Sequence, residues 1–167
     1  MEISTERFEL ALERLRDSDW DRFERLCSGF LVSEWPDVRT VAAASGDEGR
    51  DSEVFAPTAD STIAIQYSVQ KTWDQKIRRT IQRVKQSRPA TTILVFMSNQ
   101  QIGARGDVLK KAASSQGIYL DVRDRSWFLE RLHSDSNRER NAVELARVIV
   151  DPLLEKRGVL SLSLAIS

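Results

Sequence analysis

The sequence is poor in the residues that cross-link or ligate. It holds one cysteine, Cys27, and one histidine, His133, in 167 residues. That excludes an internal disulfide, a Cys/His zinc site and a Cys–His nucleophile pair. No apolar run approaches the ~18 residues of a membrane-spanning helix, and the opening MEISTERFEL has the marks of neither a signal nor a transit peptide. A soluble, cytoplasmic chain with no membrane partner is expected. Low-complexity linkers and internal repeats are also lacking, and so is net charge, with 25 basic and 25 acidic residues.

What is there is globular. Hydrophobic residues make up 41% and charged residues 30%, too apolar for a disordered chain. A chain of this length buries roughly 70% of its unfolded surface, so a single domain over residues 1–159 needs no cross-links. The lone Cys27 sits in an apolar helical pattern and reads as a small buried hydrophobe.

The zero net charge hides a gradient. Residues 1–60 carry 15 acids and 7 bases, whereas 61–167 carry 10 acids and 18 bases. The most basic piece is 71–88, where Lys71, Lys76, Arg78, Arg79, Arg83, Lys85 and Arg88 face one acid, Asp74. Such a stripe can hold a phosphate backbone; it can equally be a solvated helix face, or pair with the acidic first third.

Periodicity predicts the elements. Phe8, Leu12 and Leu15 mark a helix over 4–15. A second helix, with Ser18 as its N-cap, places Phe23, Cys27 and Phe30 on one face and ends before Trp35-Pro36. Strands are expected at Val38–Ala44, Asp51–Phe55 and Thr62–Val69, separated by turns at Ser45–Gly49 and Ala56–Asp60. Trp73, Ile77, Ile81 and Val84 predict a helix over 73–86, stopped at Pro89. Thr91–Met97 reads as a strand covered on both faces. Helices at 107–115, 124–133 and 137–150 and a strand from Gly117 to Val122 complete an α/β fold with a mixed central sheet flanked by helices. The tail Leu160–Ile166 alternates apolar and small residues, and 160–167 is expected to begin a linker to a downstream region.

One constellation could carry chemistry. Within 62–69 the alternation sets Gln66 and Ser68 on one face and Ile63, Ile65 and Tyr67 on the other. Asp51 begins the preceding strand and, in a hairpin, lies across from the 66–68 end. A carboxylate and an amide oxygen beside lysines are what a hard divalent cation and a phosphodiester require.

The run Gly46-Asp-Glu-Gly-Arg-Asp51, followed by a strand ending in Gln66-x-Ser68, resembles the PD-(D/E)XK nuclease superfamily, in particular its Mrr-type restriction endonuclease branch. The resemblance covers residues 18–100 and includes the order helix, three-strand meander, helix, strand. It implies a restriction-endonuclease-like fold and a Mg²⁺-dependent endodeoxyribonuclease, with Mn²⁺ as a substitute cation. It also implies DNA as partner, a homo-oligomer, and a place as N-terminal effector of a bacterial anti-phage defence protein with a fused C-terminal NTPase or sensor region. Asp51 matches the metal-binding aspartate, Gln66 the second ligand, and Glu24 an auxiliary metal ligand. Ser68 stands where the family has its lysine and cannot supply the charge. Lys76, beside Arg79 and Arg83 on the following helix, and Lys71 are the candidate replacements. With neither, the domain is a catalytically inactive module for nucleic-acid binding or protein assembly.

Each of these residues also has a structural reading. Asp47 and Asp51 suit a turn, Gln66 a satisfied core amide, and Glu24 a solvent-facing helical acid. Trp73 and Trp127 are read as core, Arg123–Trp127 as a salt-bridged turn or a phosphate contact, and His133 as a surface or helix-end residue. Ser98–Gln101 could line the same cleft.

Overall fold

A computed structural model describes residues 2–38, 54–59 and 62–156. The expected strand Val38–Ala44 beyond its first residue, the turn Ser45–Gly49, Asp47, Asp51 and the 160–167 tail lie outside the described residues.

Helix α1 (Thr5–Glu13) is capped by Ser4, whose hydroxyl accepts from the Arg7 amide at 3.2 Å, and buries Phe8, Ala11 and Leu12. A 3₁₀ turn, Asp17–Asp19, leads into α2 (Trp20–Leu31). Here the cap differs from the expected Ser18. The Asp19 carboxylate accepts from the Arg16 amide at 3.0 Å, closing the turn from the residue directly before the helix. A carboxylate there also suits the positive end of the helix dipole.

Strands β1 (Ile63–Ser68), β2 (Ile93–Ser98) and β3 (Tyr119–Arg123) form a parallel sheet in that order. Helix α3 (Trp73–Ser87) connects the first pair and α4 (Asp107–Ser114) the second. Each connection is a βαβ unit, which a short loop cannot replace between parallel strands. All three strands are parallel, so the antiparallel character expected of a mixed sheet is confined, among the described residues, to the bridge between Phe55 and Ile65. Gly117 ends α4 at φ +79° while the Ile118 amide donates to the Ala113 carbonyl at 3.0 Å. That left-handed turn carries little steric penalty only for glycine.

Alternation along the strands divides the core. Ile65, Tyr67, Val95 and Met97 pack with α1, α2 and two later helices, α5 (Arg125–Arg131) and α6 (Ser136–Ile149). Ala64, Leu94, Phe96 and Leu120 pack with Ile77, Ile81 and Val84 of α3 and Leu109 of α4. The result is a helix–sheet–helix sandwich. Asp124 and Asp135 cap α5 and α6, accepting from the Trp127 and Arg138 amides at 3.2 and 2.7 Å. α6 ends at Ile149 and α7 (Asp151–Lys156) follows at once; proline is tolerated in a helix's first turn, and Asp151 pairs with Arg7 of α1.

Phe30 is the hub of the larger core, with ring centroids 5.9 Å from Phe8, 5.2 Å from Phe128 and 6.1 Å from Trp127. Phe30→Ala should cost about 3–5 kcal/mol of unfolding free energy, measured by urea denaturation. A loss below ~1 kcal/mol, in the range of an exposed substitution, contradicts this packing.

Candidate functional site

β1 is hydrogen-bonded on one edge to β2 and bridged on the other to Phe55. Its polar side chains must therefore find partners above or below the sheet. Gln66 is fully buried and points toward α3, where the Thr80 hydroxyl meets its Oε1. The same hydroxyl lies 2.8 Å from the Lys76 carbonyl. A hydroxyl has one proton for these two acceptors, so the amide and the backbone compete for it; turning the amide lets Thr80 accept from Gln66 and donate to Lys76.

Lys76 is 5% exposed. The expected basic row of Lys76, Arg79 and Arg83 is thus corrected in part. Lys76 joins Ile77, Thr80, Ile81 and Val84 on the buried face of α3, whereas Arg79 is exposed and Arg83 half-buried. The spacing of 76, 80 and 84 puts all three on one side of a helix.

Ser68 takes no part in this cluster. Its hydroxyl accepts from the Gln70 amide at 3.2 Å, and the paired Ser98 does the same for the Gln100 amide at 3.0 Å. Two adjacent strands thus end in the same serine turn. β1 stops there, so Lys71 does not continue the strand; it is exposed and lines a cleft at the sheet's carboxyl end.

Glu24 is half-buried on α2, the helix packed against the Tyr67 face of β1 rather than the Gln66 face. Its influence reaches two neighbours. Burial first, then the Glu24 charge, pushes the Cys27 thiol well above its ordinary value. Burial, with Cys27 and Glu24 adding to it, pushes the Tyr67 hydroxyl well up against the opposing 3.4 Å contact with Ser28. Both groups stay neutral over the physiological range.

Gln66 and Thr80 therefore come together with the backbone carbonyl of Lys76, Glu24 stands in the opposite helical layer, and Asp51 lies outside the described residues. Thr80 was not anticipated. Its signal was available: it lies four residues after Lys76 and within the Ile77/Ile81 stripe. An amide oxygen and carboxylates are hard donors of the kind Mg²⁺ takes; among the described residues no three His, Cys, Asp or Glu side chains cluster as a metal site.

The other residues singled out have structural partners. Asn99 donates to the Leu12 carbonyl at 2.8 Å, and Gln101 accepts from the Ser126 hydroxyl at 2.8 Å. Arg123 grips both Glu34 oxygens at 2.7 and 3.0 Å. Burial acts to lower its pKa, but Glu34 and Asp121 outweigh that and hold it above the usual value. His133 sits 3.5 Å from Glu139. Comparison with family models, curated proteins and solved structures returns no match.

The neutral Cys27 and Tyr67 give a pH dependence with a definite sign. The unfolded chain loses these protons near about pH 8.5 and 10, while the folded chain keeps them. The native state then binds more protons, so stability is fully present below about pH 8 and falls as pH rises through about 9–11. Urea unfolding at neutral and alkaline pH should show this loss, with a shallower slope in Cys27→Ala; an unchanged slope removes Cys27 from the account.

Proposed function

We propose that this chain is a metal-dependent nuclease domain of restriction-endonuclease-like fold that hydrolyses DNA, serving as the N-terminal effector of a larger bacterial defence protein. The observation that carries the reading is the placement of Lys76. A buried lysine on the helix after β1 stands one turn from Thr80, whose hydroxyl contacts Gln66. The lysine's burial on the face of α3 that carries Thr80 supports its taking the role of the strand lysine that serine replaces.

Asp51 and Gln66 would hold Mg²⁺ or Mn²⁺; Glu24, on the helix packed against the other face of β1, is not part of this set. An amide oxygen has two lone pairs, so Gln66 can share its Oε1 between Thr80 and a cation. When bound, the cation supplies Lewis-acid chemistry that acidifies a water and offsets transition-state charge. Lys76 holds the scissile phosphate and balances the charge developing on its non-bridging oxygens, in a dry setting where such a charge is worth most. Thr80 fixes the rotamer of Gln66. Arg79, Arg83 and Lys71 lie outside this cluster and contact backbone phosphates.

A second reading, a catalytically inactive nuclease-like module for nucleic-acid binding or protein assembly, is favoured by the complete burial of Gln66 under Thr80. A satisfied structural amide looks the same.

Plasmid nicking with Mg²⁺ and Mn²⁺ separates the two. Under the nuclease reading, wild type nicks DNA only with the cation, and Asp51→Ala abolishes nicking. Lys76→Met, which keeps the buried stem without its charge, lowers the rate by about 100-fold or more, with the fold verified by circular dichroism. Full activity in Lys76→Met overturns the role of that lysine. No turnover by wild type at any divalent concentration leaves the inactive module.

A further inference from the structure

At the carboxyl end of β1 a cleft of ≈ 550 Å³ opens between the turn that joins α1 to α2, residues 13–17, and the segment Val69–Thr72 that leads into α3. In open α/β sheets the carboxyl ends of parallel strands are where ligands bind. Three cations line this cleft, Arg14 and Arg16 from one wall and Lys71 from the other. All three side chains are exposed. Two acids share the lining, Glu13 and Asp17, but Glu13 is drawn off by Arg125 at 3.4 Å.

The arginine-bearing wall is anchored from below. The buried Asn99 side chain, at the end of β2, donates to the Leu12 carbonyl at 2.8 Å. Asp19 closes the turn on the Arg16 amide at 3.0 Å. Arg14 and Arg16 are thus carried on a backbone tied to the end of β2 through Leu12 and closed locally by Asp19. A surface cation on such a support loses less conformational entropy on binding than one on a loose loop.

We infer that this cleft binds the phosphodiester backbone of DNA next to the position where the strand is cut. The inference rests on the nuclease reading for what lies beside it. Thr72, the residue that precedes α3, is four residues from Lys76, about 6 Å of helix rise. Val69 is three residues from Gln66, about 10 Å of strand. These spacings bring the wall that carries Lys71 close to Lys76 and Gln66, and Arg14 and Arg16 line the same cleft from the other wall. These contacts carry no base specificity; they set register and orientation.

The test is duplex binding without cleavage. A fluorescently labelled 20-base-pair DNA is titrated with the protein in EDTA from ~50 to ~200 mM salt, the range over which counterion release dominates. Arg14→Gln/Arg16→Gln should weaken binding and reduce the slope of log K against log salt by about two. Lys110→Gln, an exposed lysine on α4, should leave both unchanged. Arg14→Lys/Arg16→Lys should restore most of the slope, which a merely structural role of the arginines does not predict.

Wild-type binding that the double glutamine variant leaves unaltered overturns the cleft and leaves the nuclease reading standing. A lost slope in a protein that never nicks DNA keeps the cleft and removes the nuclease. Failure of the wild type to bind the duplex, or binding of inorganic phosphate alone, overturns the cleft.

Discussion

A strand with helices over both faces leaves a polar side chain only two choices: find a partner in the layers above and below, or destabilise the fold by the desolvation penalty of an unmade hydrogen bond. β1 carries Gln66 and Ser68 in that position, both fully buried. Their partners determine much of the surrounding architecture. Thr80 must lie over Gln66, which fixes the rotation of α3 about its axis and with it the inward placement of Lys76. Ser68 turns on the Gln70 amide, which ends the strand and leaves Lys71 in solvent. Both candidate lysines are therefore placed by the way one strand satisfies two polar groups.

The other side of the sheet solves a different problem. Trp127 has guanidinium carbons at 4.9 Å (Arg123), 4.6 Å (Arg131) and 5.7 Å (Arg138) from its ring. Three cations around one indole would repel one another if left alone. Glu34 neutralises part of the charge by bridging Arg123 at 2.7 Å and Arg138 at 3.8 Å, and Asp121 and Asp135 take the rest of these two guanidiniums at 3.1 and 3.7 Å. The cluster ties α5, α6 and the end of β3 to the segment after α2. It is internally compensated, so it acts as a polar seam and not as an anion site.

Most of the element order was legible because it rests on periodicity. Apolar stripes at spacings of three and four, and unbroken β-rich runs, placed α1 through α6 and the three strands within one to three residues of their observed ends. Departures arose where a tertiary contact or a local geometry outweighed pattern. Asp19 in place of Ser18 closes the turn before α2, because a carboxylate one residue nearer the helix reaches the Arg16 amide. The candidate site was legible only in part. Gln66 could be assigned to a face by alternation alone, but the depth of Lys76 could not: a lysine inside an arginine-rich run looks like part of a solvated row. Only the 76/80/84 spacing distinguishes the inward residues, and Thr80 is too ordinary a residue to draw notice.

Charge shows the limit of block arithmetic most clearly. The first sixty residues are net acidic and the remainder net basic, which suggests that an anionic ligand would be held by the later part alone. The fold mixes the two. Arg14 and Arg16 belong to the acidic block, yet the chain turns there so that both line one cleft with Lys71. Electrostatic interactions between exposed groups fade over a Debye length of about 8–10 Å, so what a bound phosphate senses is the set of charges around that cleft and not the sum over sixty residues. A neutral protein can therefore carry a local cationic track, built from residues whose neighbours in sequence are acids.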